Sequence, residues 1–134
     1  RKPMVTTVDE IGIGAGVLDR LRQLGFSVLG GNSGNMSESP RYLNKRAEAY
    51  FQLKEYVEAG CELPKDKLLI EDLRMLSYDF TDKGRLRIDR KQDFIDDFGR
   101  SPDRGDALSL TFFYPHGNMA SMRHELEPEA FIDS

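Results

Sequence analysis

The sequence has too few cysteines for an internal disulfide, and its cysteine and histidines lack the spacing typical of a zinc site. Cys61 is its single cysteine, which excludes an internal disulfide and suits a reducing compartment; we interpret it as a buried or unreactive thiol. The two histidines, His116 and His124, have no cysteine or histidine neighbour at zinc-ligand spacing. Long apolar runs are missing too: none approaches the roughly 18 residues of a membrane span, and the sequence predicts no signal peptide.

An excess of positive charge is also missing. The chain has 19 lysines and arginines against 23 aspartates and glutamates, which gives a formal net charge of −4. A role in nucleic-acid binding would therefore need a local basic face. The length of 134 residues and the hydrophobic content of 39% suit a single domain with its own core.

The stretch that organises the chain is residues 8–18 (VDEIGIGAGVL), where two acids and three alternating glycines separate a predicted strand from a predicted helix. Residues 3–9 predict the strand, which ends at Asp9. The helix that follows stops at Gly25, and residues 26–30 predict a second strand. So short a crossover predicts that the two strands are parallel neighbours. The apolar face of the helix is predicted to consist of Val17, Leu18, Leu21 and Leu24.

The remainder of the chain combines four predicted helices with one hairpin. The helices cover residues 43–59, 65–75, 91–98 and 106–114, and the hairpin joins residues 76–81 to residues 85–89. Pro64 lies where a helix can begin, and Gly60 and Gly99 lie where helices end. The buried stripe of the first of these helices is predicted to be Leu43, Ala47, Tyr50, Phe51 and Val57.

At the level of domains, residues 1–114 are expected to form one α/β domain in which the last helix packs on the sheet. Residues 115–134 have no sustained period and are rich in Pro, Gly, Asn, Ser and Glu. We expect them to form a flexible tail.

The glycine stretch invites a nucleotide-binding interpretation, which its spacing disfavours. The dinucleotide fingerprint is G-x-G-x-x-G, whereas Gly12, Gly14 and Gly16 follow the pattern G-x-G-x-G, with Val17 at the position of the last glycine. No acid ends the second strand to bind a ribose, and Asp9 would repel phosphates. We therefore interpret the glycines as a tight turn between strand and helix.

Two separated acids form the strongest candidate site. Asp9 ends a strand, and Asp106 opens a helix predicted to lie against the same sheet. Two-metal phosphoryl chemistry needs carboxylates from separate elements, because hard divalent cations prefer oxygen ligands and the paired ions stabilise the attacking and leaving oxygens. The alternative for Asp106, or for the neighbouring Asp103, is simple capping of the helix.

Two local groups of basic residues could contact a polyanion. Asn44, Lys45 and Arg46 stand at the start of a predicted helix after a Gly/Ser-rich loop, where they could hold a phosphate or form an ordinary solvated first turn. Arg85 and Arg87 alternate with apolar residues along the hairpin, as they also would on any half-exposed strand. Further basic residues that follow the hairpin are Arg90, Lys91, Arg100 and Arg104.

Three of these segments, in this order, resemble the nuclease domain of phage terminase large subunits: residues 8–17 (VDEIGIGAGV), residues 44–48 (NKRAE) and residues 101–108 (SPDRGDAL). The resemblance covers roughly residues 3–114. It implies an RNase H-like α/β fold with a mixed sheet flanked by helices, and a metal-dependent endonuclease that cuts concatemeric viral DNA during genome packaging. It also implies Mg²⁺ or Mn²⁺ in a two-metal site bound by three acids. Asp9 resembles the second of these acids and Asp106 the third, with Asp103 as a possible helper.

The resemblance also implies partners and a location. The partners would be double-stranded DNA, the terminase small subunit and the portal, in the cytoplasm of a bacterial host that carries a virus or prophage, and with no membrane involved. Lys45, Arg46, Arg85 and Arg87 are weaker candidates for DNA contacts. The alternative function is a non-catalytic assembly module of the packaging machine that binds DNA or the portal.

The sequence also departs from the family. The family's first acid and the strand that carries it precede the segment equivalent to Asp9, as does a packaging ATPase domain, and neither is found in this sequence, which has no G-x-x-x-x-G-K-[ST]. We therefore expect an incomplete nuclease domain that lacks its first strands and has little cutting activity by itself. An open sheet edge would favour self-association.

Overall fold

A computed structural model describes residues 5–10 and 14–114 of the chain. These residues fall in two compact units, which are described separately: residues 5–10 and 14–32 with Phe113 and Tyr114, and residues 33–112. The tail predicted for residues 115–134 lies outside the described residues. In chain order the elements are β1 (Thr6–Asp9), α1 (Gly14–Gln23), β2 (Val28–Gly31), α2 (Lys45–Glu58), α3 (Lys67–Met75), β3 (Tyr78–Phe80), β4 (Leu86–Ile88), α4 (Lys91–Phe98) and α5 (Asp103–Leu110).

The first unit contains the β-α-β arrangement that the sequence predicts. β1 and β2 pair in parallel, with Asp9 opposite Gly31, and α1 connects them. Leu18 of α1 is buried, as are Val28 and Leu29 of β2. The parallel pairing leaves Asp9 at the carboxyl end of β1, where side chains of an α/β fold can meet a ligand.

Two details of this unit differ from the prediction. Gly14 and Gly16 lie inside α1 instead of in a turn before it, while Gly12 lies outside the described residues. Val17 and Leu24 are 42% and 56% exposed, although their spacing predicts a buried face. The helix therefore buries a narrower stripe than its sequence pattern indicates.

The second unit has α2 at its centre. The side chain of Asn44 caps this helix by accepting a hydrogen bond from the backbone N–H of Ala47. The prediction of a buried stripe is correct at Ala47 and Tyr50 and wrong at Val57, which is exposed. The buried residues of α2 are Ala47, Ala49, Tyr50 and Leu53.

The hairpin of this unit is confirmed. β3 and β4 are antiparallel, and Gly84 in the connecting turn has a φ of 75°, in the left-handed region that glycine adopts without strain. The buried Leu86 belongs to a cluster with Tyr42 and Ala47. Its neighbour Arg87 is exposed on the opposite face of β4, as the alternation predicts.

The bounds of α4 match the prediction, and those of α3 differ from it. α4 ends at Gly99, whose φ of 75° is typical of a helix C-cap. α3 begins at Lys67, because the Asp66 side chain accepts the backbone N–H groups of Leu68 and Leu69; Pro64 is therefore not its first residue. The Leu69 N–H, with further help from Arg104, holds the pKa of Asp66 below its usual value.

The prediction for α5 is wrong in its bounds. The helix begins at Asp103 instead of Asp106, and it ends at Leu110. Within the second unit it packs on α2 and α3, and the predicted packing on the strand that carries Asp9 stays a prediction. Asp106 thus lies in the first turn of the helix and not at its first residue.

Two expectations from composition can be compared with the structure. Cys61 is exposed rather than buried, since it follows the end of α2 in a segment without regular structure. Each helix that the structure describes is too short or too polar to span a membrane.

Candidate functional site

The start of α5 is fixed by a residue from another helix. Pro102 stands at the N-cap position and makes no side-chain capping hydrogen bond. Asp72 of α3 takes that role, because its Oδ2 accepts the backbone N–H groups of Arg104 at 3.1 Å and Gly105 at 3.0 Å. Asp72 is fully buried, and the Arg100 guanidinium donates to its Oδ1. The buried carboxylate therefore joins α3 to the first turn of α5.

Gly105 allows α5 to approach α2 and α3 closely. A Cβ at this position would lie 3.0 Å from the Tyr50 hydroxyl oxygen and 3.2 Å from the Cβ of Asp72. Both distances are shorter than ordinary van der Waals contact. The absence of a side chain at Gly105 is therefore part of how the first turn of α5 is placed.

We expect Gly105→Ala to lower the free energy of unfolding. Overpacking costs about 1–3 kcal/mol, which exceeds the roughly 0.5–1 kcal/mol that alanine gains over glycine inside a helix. Urea denaturation followed by circular dichroism measures the change. The matched control is Gly16→Ala in α1, where a Cβ would meet nothing within 4 Å, so that the helical preference alone predicts a gain. Equal gains in both variants would contradict the close packing at Gly105.

Asp106, in the same first turn, accepts two hydrogen bonds from α2. Arg46 Nη1 lies 2.5 Å from Asp106 Oδ1, and the Tyr50 hydroxyl donates to the same oxygen at 2.6 Å. The side chains of Arg46 and Asp106 are 12% and 19% exposed, so this ion pair is largely shielded from water. The carboxylate is thus held from one side by a cation and a hydroxyl.

The Tyr50 hydroxyl stays protonated and serves as a donor. Burial, followed by the negative charge of Asp106, raises the pKa of Tyr50 far above its ordinary value. The Arg46 guanidinium carbon lies 5.1 Å from the centroid of the Tyr50 ring, a favourable cation–π distance. The two donors to Asp106 therefore also stabilise each other.

The second oxygen of Asp106 is differently placed. Among the described residues no hydrogen bond reaches Oδ2, and the Lys91 ammonium lies 3.9 Å from it. Lys91 also lies 3.6 Å from Asp103, whose exposed carboxylate accepts a hydrogen bond from the Ser101 hydroxyl. Asp106 thus presents one engaged oxygen and one oxygen near a cation.

Asp9, the other predicted ligand, lies in the first unit. It is exposed at the carboxyl end of β1 and is followed by Glu10, also exposed. The Glu10 carboxylate lies beside Gly30 of β2, where a Cβ would overlap it, so the glycine is needed for Glu10 to occupy this position. Asp9 and Asp106 belong to different units, and their predicted convergence on one metal stays a prediction.

The N-terminus of α2 has no free amide for a phosphate within the described structure. The N–H groups of Lys45 and Arg46 donate to the carbonyls of Asn35 and Ser33, and that of Ala47 donates to Asn44. This corrects the hypothesis that a helix N-terminus binds a phosphate here. Lys45 and Arg46 could reach DNA only through their side chains, which already lie against Glu48 and Asp106.

The hairpin arginines differ from each other. Arg87 forms a two-pronged pair with Asp79, at 2.8 and 2.6 Å, which raises the pKa of Arg87 and lowers that of Asp79. Arg85 is half-buried. The predicted role of both residues in DNA binding remains a prediction.

The sequence indicates Asp106 as a candidate ligand, which stays a prediction, and it does not predict the contacts that Asp72 and Tyr50 make with α5. Asp72 lies three residues after Leu69 and four before Leu76, which is helical spacing. An acid in such an apolar pattern could have marked Asp72 as a buried partner. The sequence pattern predicts that Tyr50 is buried. It does not predict the acceptor of the Tyr50 hydroxyl, because Asp106 lies 56 residues away in the sequence. Among the described residues, no three His, Cys, Asp or Glu side chains form a group that could hold a metal.

The mixed α/β arrangement with small parallel and antiparallel sheets is an RNase H-like fold, as predicted. The chain is similar in structure to the nuclease domain of the large terminase subunit gp2 of bacterial virus Sf6, with a TM-score of 0.58 and 17% identity over 84% of this chain and 65% of that chain. A lysine-to-alanine mutant of that nuclease domain, solved with manganese, has a TM-score of 0.59 and 19% identity over 84% of this chain and 66% of that chain. A mutant gp2c solved with calcium has a TM-score of 0.60 and 19% identity over 84% and 65%.

The resemblance in fold to a terminase nuclease domain is therefore confirmed. This chain spans 65–66% of the length of the three domains with which it is compared. No family model matches the sequence, and no curated protein matches it.

Proposed function

We propose that this chain forms part of a divalent-metal-dependent endonuclease that cuts viral DNA during genome packaging. The observation that carries the proposal is Asp106, in a chain with the fold of a terminase nuclease domain. Its Oδ1 is held by Arg46 and Tyr50, while Oδ2 receives no hydrogen bond from a described residue. An oriented carboxylate oxygen of this kind is a suitable ligand for a hard cation.

The proposed metal ligands are Asp9 and Asp106, with Asp103 as a possible helper. Asp9 is exposed and Asp106 is part-buried, and both supply the oxygen donors that Mg²⁺ and Mn²⁺ prefer. A bound metal would activate water and stabilise the charge that develops on the phosphodiester. In the protein, α2 would hold Asp106 in place through Arg46.

The proposed partners follow from the same function. The polyanion would be double-stranded DNA, contacted through the side chains of Lys45, Arg85 and Arg87. Arg46, the fourth predicted contact, is paired with Asp106 and only 12% exposed, so it would contribute mainly its charge. Within a complete packaging machine the small subunit and the portal would be further partners. This activity belongs to the cytoplasm of an infected or prophage-carrying bacterium.

The test is binding of Mn²⁺ to the chain, measured by isothermal titration calorimetry. We expect Asp106→Asn to weaken binding by at least about tenfold, because loss of an outer-shell partner alone costs that much. The control is Asp97→Asn, which removes the charge of an exposed acid on α4 and should leave the affinity unchanged. Circular dichroism checks that each variant is folded.

Two outcomes would contradict the proposal: a wild-type chain that binds no Mn²⁺, or an Asp106→Asn variant that binds it as well as the wild type. Either would favour the non-catalytic packaging module instead. Mn²⁺-dependent cutting of a supercoiled plasmid, lost in both Asp9→Ala and Asp106→Asn, would extend a positive result to catalysis. The low activity expected of this chain by itself is a prediction that the same assay checks.

A further inference from the structure

We propose that Tyr50 is a positioning residue for the metal site: its hydroxyl fixes Asp106 so that Oδ2, and not Oδ1, is the oxygen that binds the divalent cation. This inference rests on the proposed function and deepens it, because it assigns a role to a residue of α2 that is not itself a ligand. It also specifies how Asp106 binds, through one oxygen only.

The geometry around Oδ1 leaves it no room to act as the ligand. The Tyr50 hydroxyl at 2.6 Å and Arg46 Nη1 at 2.5 Å both donate to this oxygen. Two short hydrogen bonds to one carboxylate oxygen fix the rotation of the carboxylate plane. Oδ2 is then directed away from both donors, and the nearest charged atom that the structure gives it is the Lys91 ammonium at 3.9 Å.

The two donors are themselves held in place. Tyr50 is 5% exposed, with its hydroxyl packed against Gly105. Arg46 Nε donates to the backbone carbonyl of Asp89 at 3.2 Å, and its guanidinium lies against the Tyr50 ring. A carboxylate held by immobilised donors loses little conformational freedom when it binds a cation, and this strengthens binding.

Arg46 and Tyr50 have different electrostatic effects on a bound cation. Arg46 orients the Asp106 carboxylate, which favours metal binding, but its positive charge repels a divalent ion, which weakens metal binding. Tyr50 is neutral and contributes orientation without repulsion. Substitution of Tyr50 therefore isolates the positioning effect, whereas a change in Arg46 would mix the two.

The decisive variant is Tyr50→Phe. Phenylalanine keeps the ring that packs in the unit and stacks on Arg46, and it removes only the hydroxyl. We expect the affinity for Mn²⁺ to fall by about 10- to 100-fold, the range found when outer-shell partners of a metal ligand are removed. The matched control is Tyr56→Phe on the same helix, where the ring lies against Phe112 and is 42% exposed. That variant should bind Mn²⁺ as the wild type does.

A spectroscopic measurement separates positioning from a merely structural role. The side-chain carboxyl ¹³C signal of Asp106, identified by its loss in Asp106→Asn, should shift on titration with Mg²⁺ in the wild type. In Tyr50→Phe the same shift should require a higher Mg²⁺ concentration. Gly105→Ala provides a second route, because its Cβ would displace the Tyr50 hydroxyl, and it should weaken Mn²⁺ binding in the same direction.

The outcomes distinguish this inference from the proposed function. If the wild type binds Mn²⁺, Asp106→Asn does not, and Tyr50→Phe binds as the wild type does, then the positioning role is wrong and the metal site stands. The positioning role is equally wrong if Tyr50→Phe loses only thermal stability. If the wild type binds no Mn²⁺ at all, both the proposed function and the inference fall.

Discussion

Replacing Asp72 with alanine is expected to lower the free energy of unfolding by about 3 kcal/mol, because removal of one partner from a buried ion pair leaves the other uncompensated. The remaining partner is Arg100, whose side chain is 34% exposed, so we expect the lower end of the usual range for such pairs. Two further groups lose their acceptor. The backbone N–H groups of Arg104 and Gly105 both donate to Asp72, and Pro102 offers no replacement.

Urea denaturation of the Asp72→Ala variant, followed by circular dichroism, measures this loss. The matched control is Asp79→Ala, which removes an acid with a two-pronged arginine partner of its own. The side chains of Asp79 and Arg87 are both exposed to solvent, so the loss of this ion pair should lower the free energy of unfolding much less. If Asp72→Ala and Asp79→Ala lowered the free energy of unfolding by similar amounts, then neither the burial of Asp72 nor its capping of α5 would contribute to stability as proposed. Asp72→Asn should be intermediate, because the amide oxygen can still accept the N–H groups of α5.

The second large effect is expected for Phe94→Ala. Phe94 is fully buried and is the largest such side chain among the described residues. Removal of a buried phenyl ring costs about 3–5 kcal/mol, through lost transfer free energy and the cavity that remains. The ring also lies 5.9 Å from the Arg100 guanidinium carbon, so it supports the partner of Asp72.

Thermal or urea denaturation measures the effect of Phe94→Ala, and Phe98→Ala is its control. The two rings lie on the same helix with centroids 4.8 Å apart, but Phe98 is 41% exposed. We therefore expect a clearly smaller loss for Phe98→Ala. A loss as large as that of Phe94→Ala would mean that ring contact, and not burial, dominates the stability of α4.

The bounds of a helix can be predicted from the sequence when the residues that start and end it belong to the same short segment. α4 has its predicted bounds, because its apolar spacing and its terminal Gly99 are all contained within one short segment. α5 begins three residues earlier than predicted, because the group that caps it comes from Asp72, 33 residues from Gly105. Propensity and spacing carry no information about a cap supplied by another helix.

The candidate site shows the same contrast. Local patterns alone place Asp9 at a strand end and Asp106 near a helix start. The hydroxyl of Tyr50 and the guanidinium of Arg46 reach Asp106 across 56 and 60 residues of sequence. Periodicity predicts that Tyr50 is buried, but only the packing of α5 against α2 determines which polar group it meets.

The cap on α5 also bears on how this chain can change through evolution. Asp72 and Arg100 are 28 residues apart in sequence and neutralise each other inside the protein. A neutral residue at position 72 would be tolerated best if position 100 became neutral in the same lineage. It would be tolerated better still if Pro102 gave way to a serine, threonine or aspartate able to cap the helix itself. The tolerance of a substitution at position 72 or 100 therefore depends on the other two positions, and a sequence that neutralises only Asp72 or only Arg100 would have a less stable first turn of α5, the turn that carries Asp106.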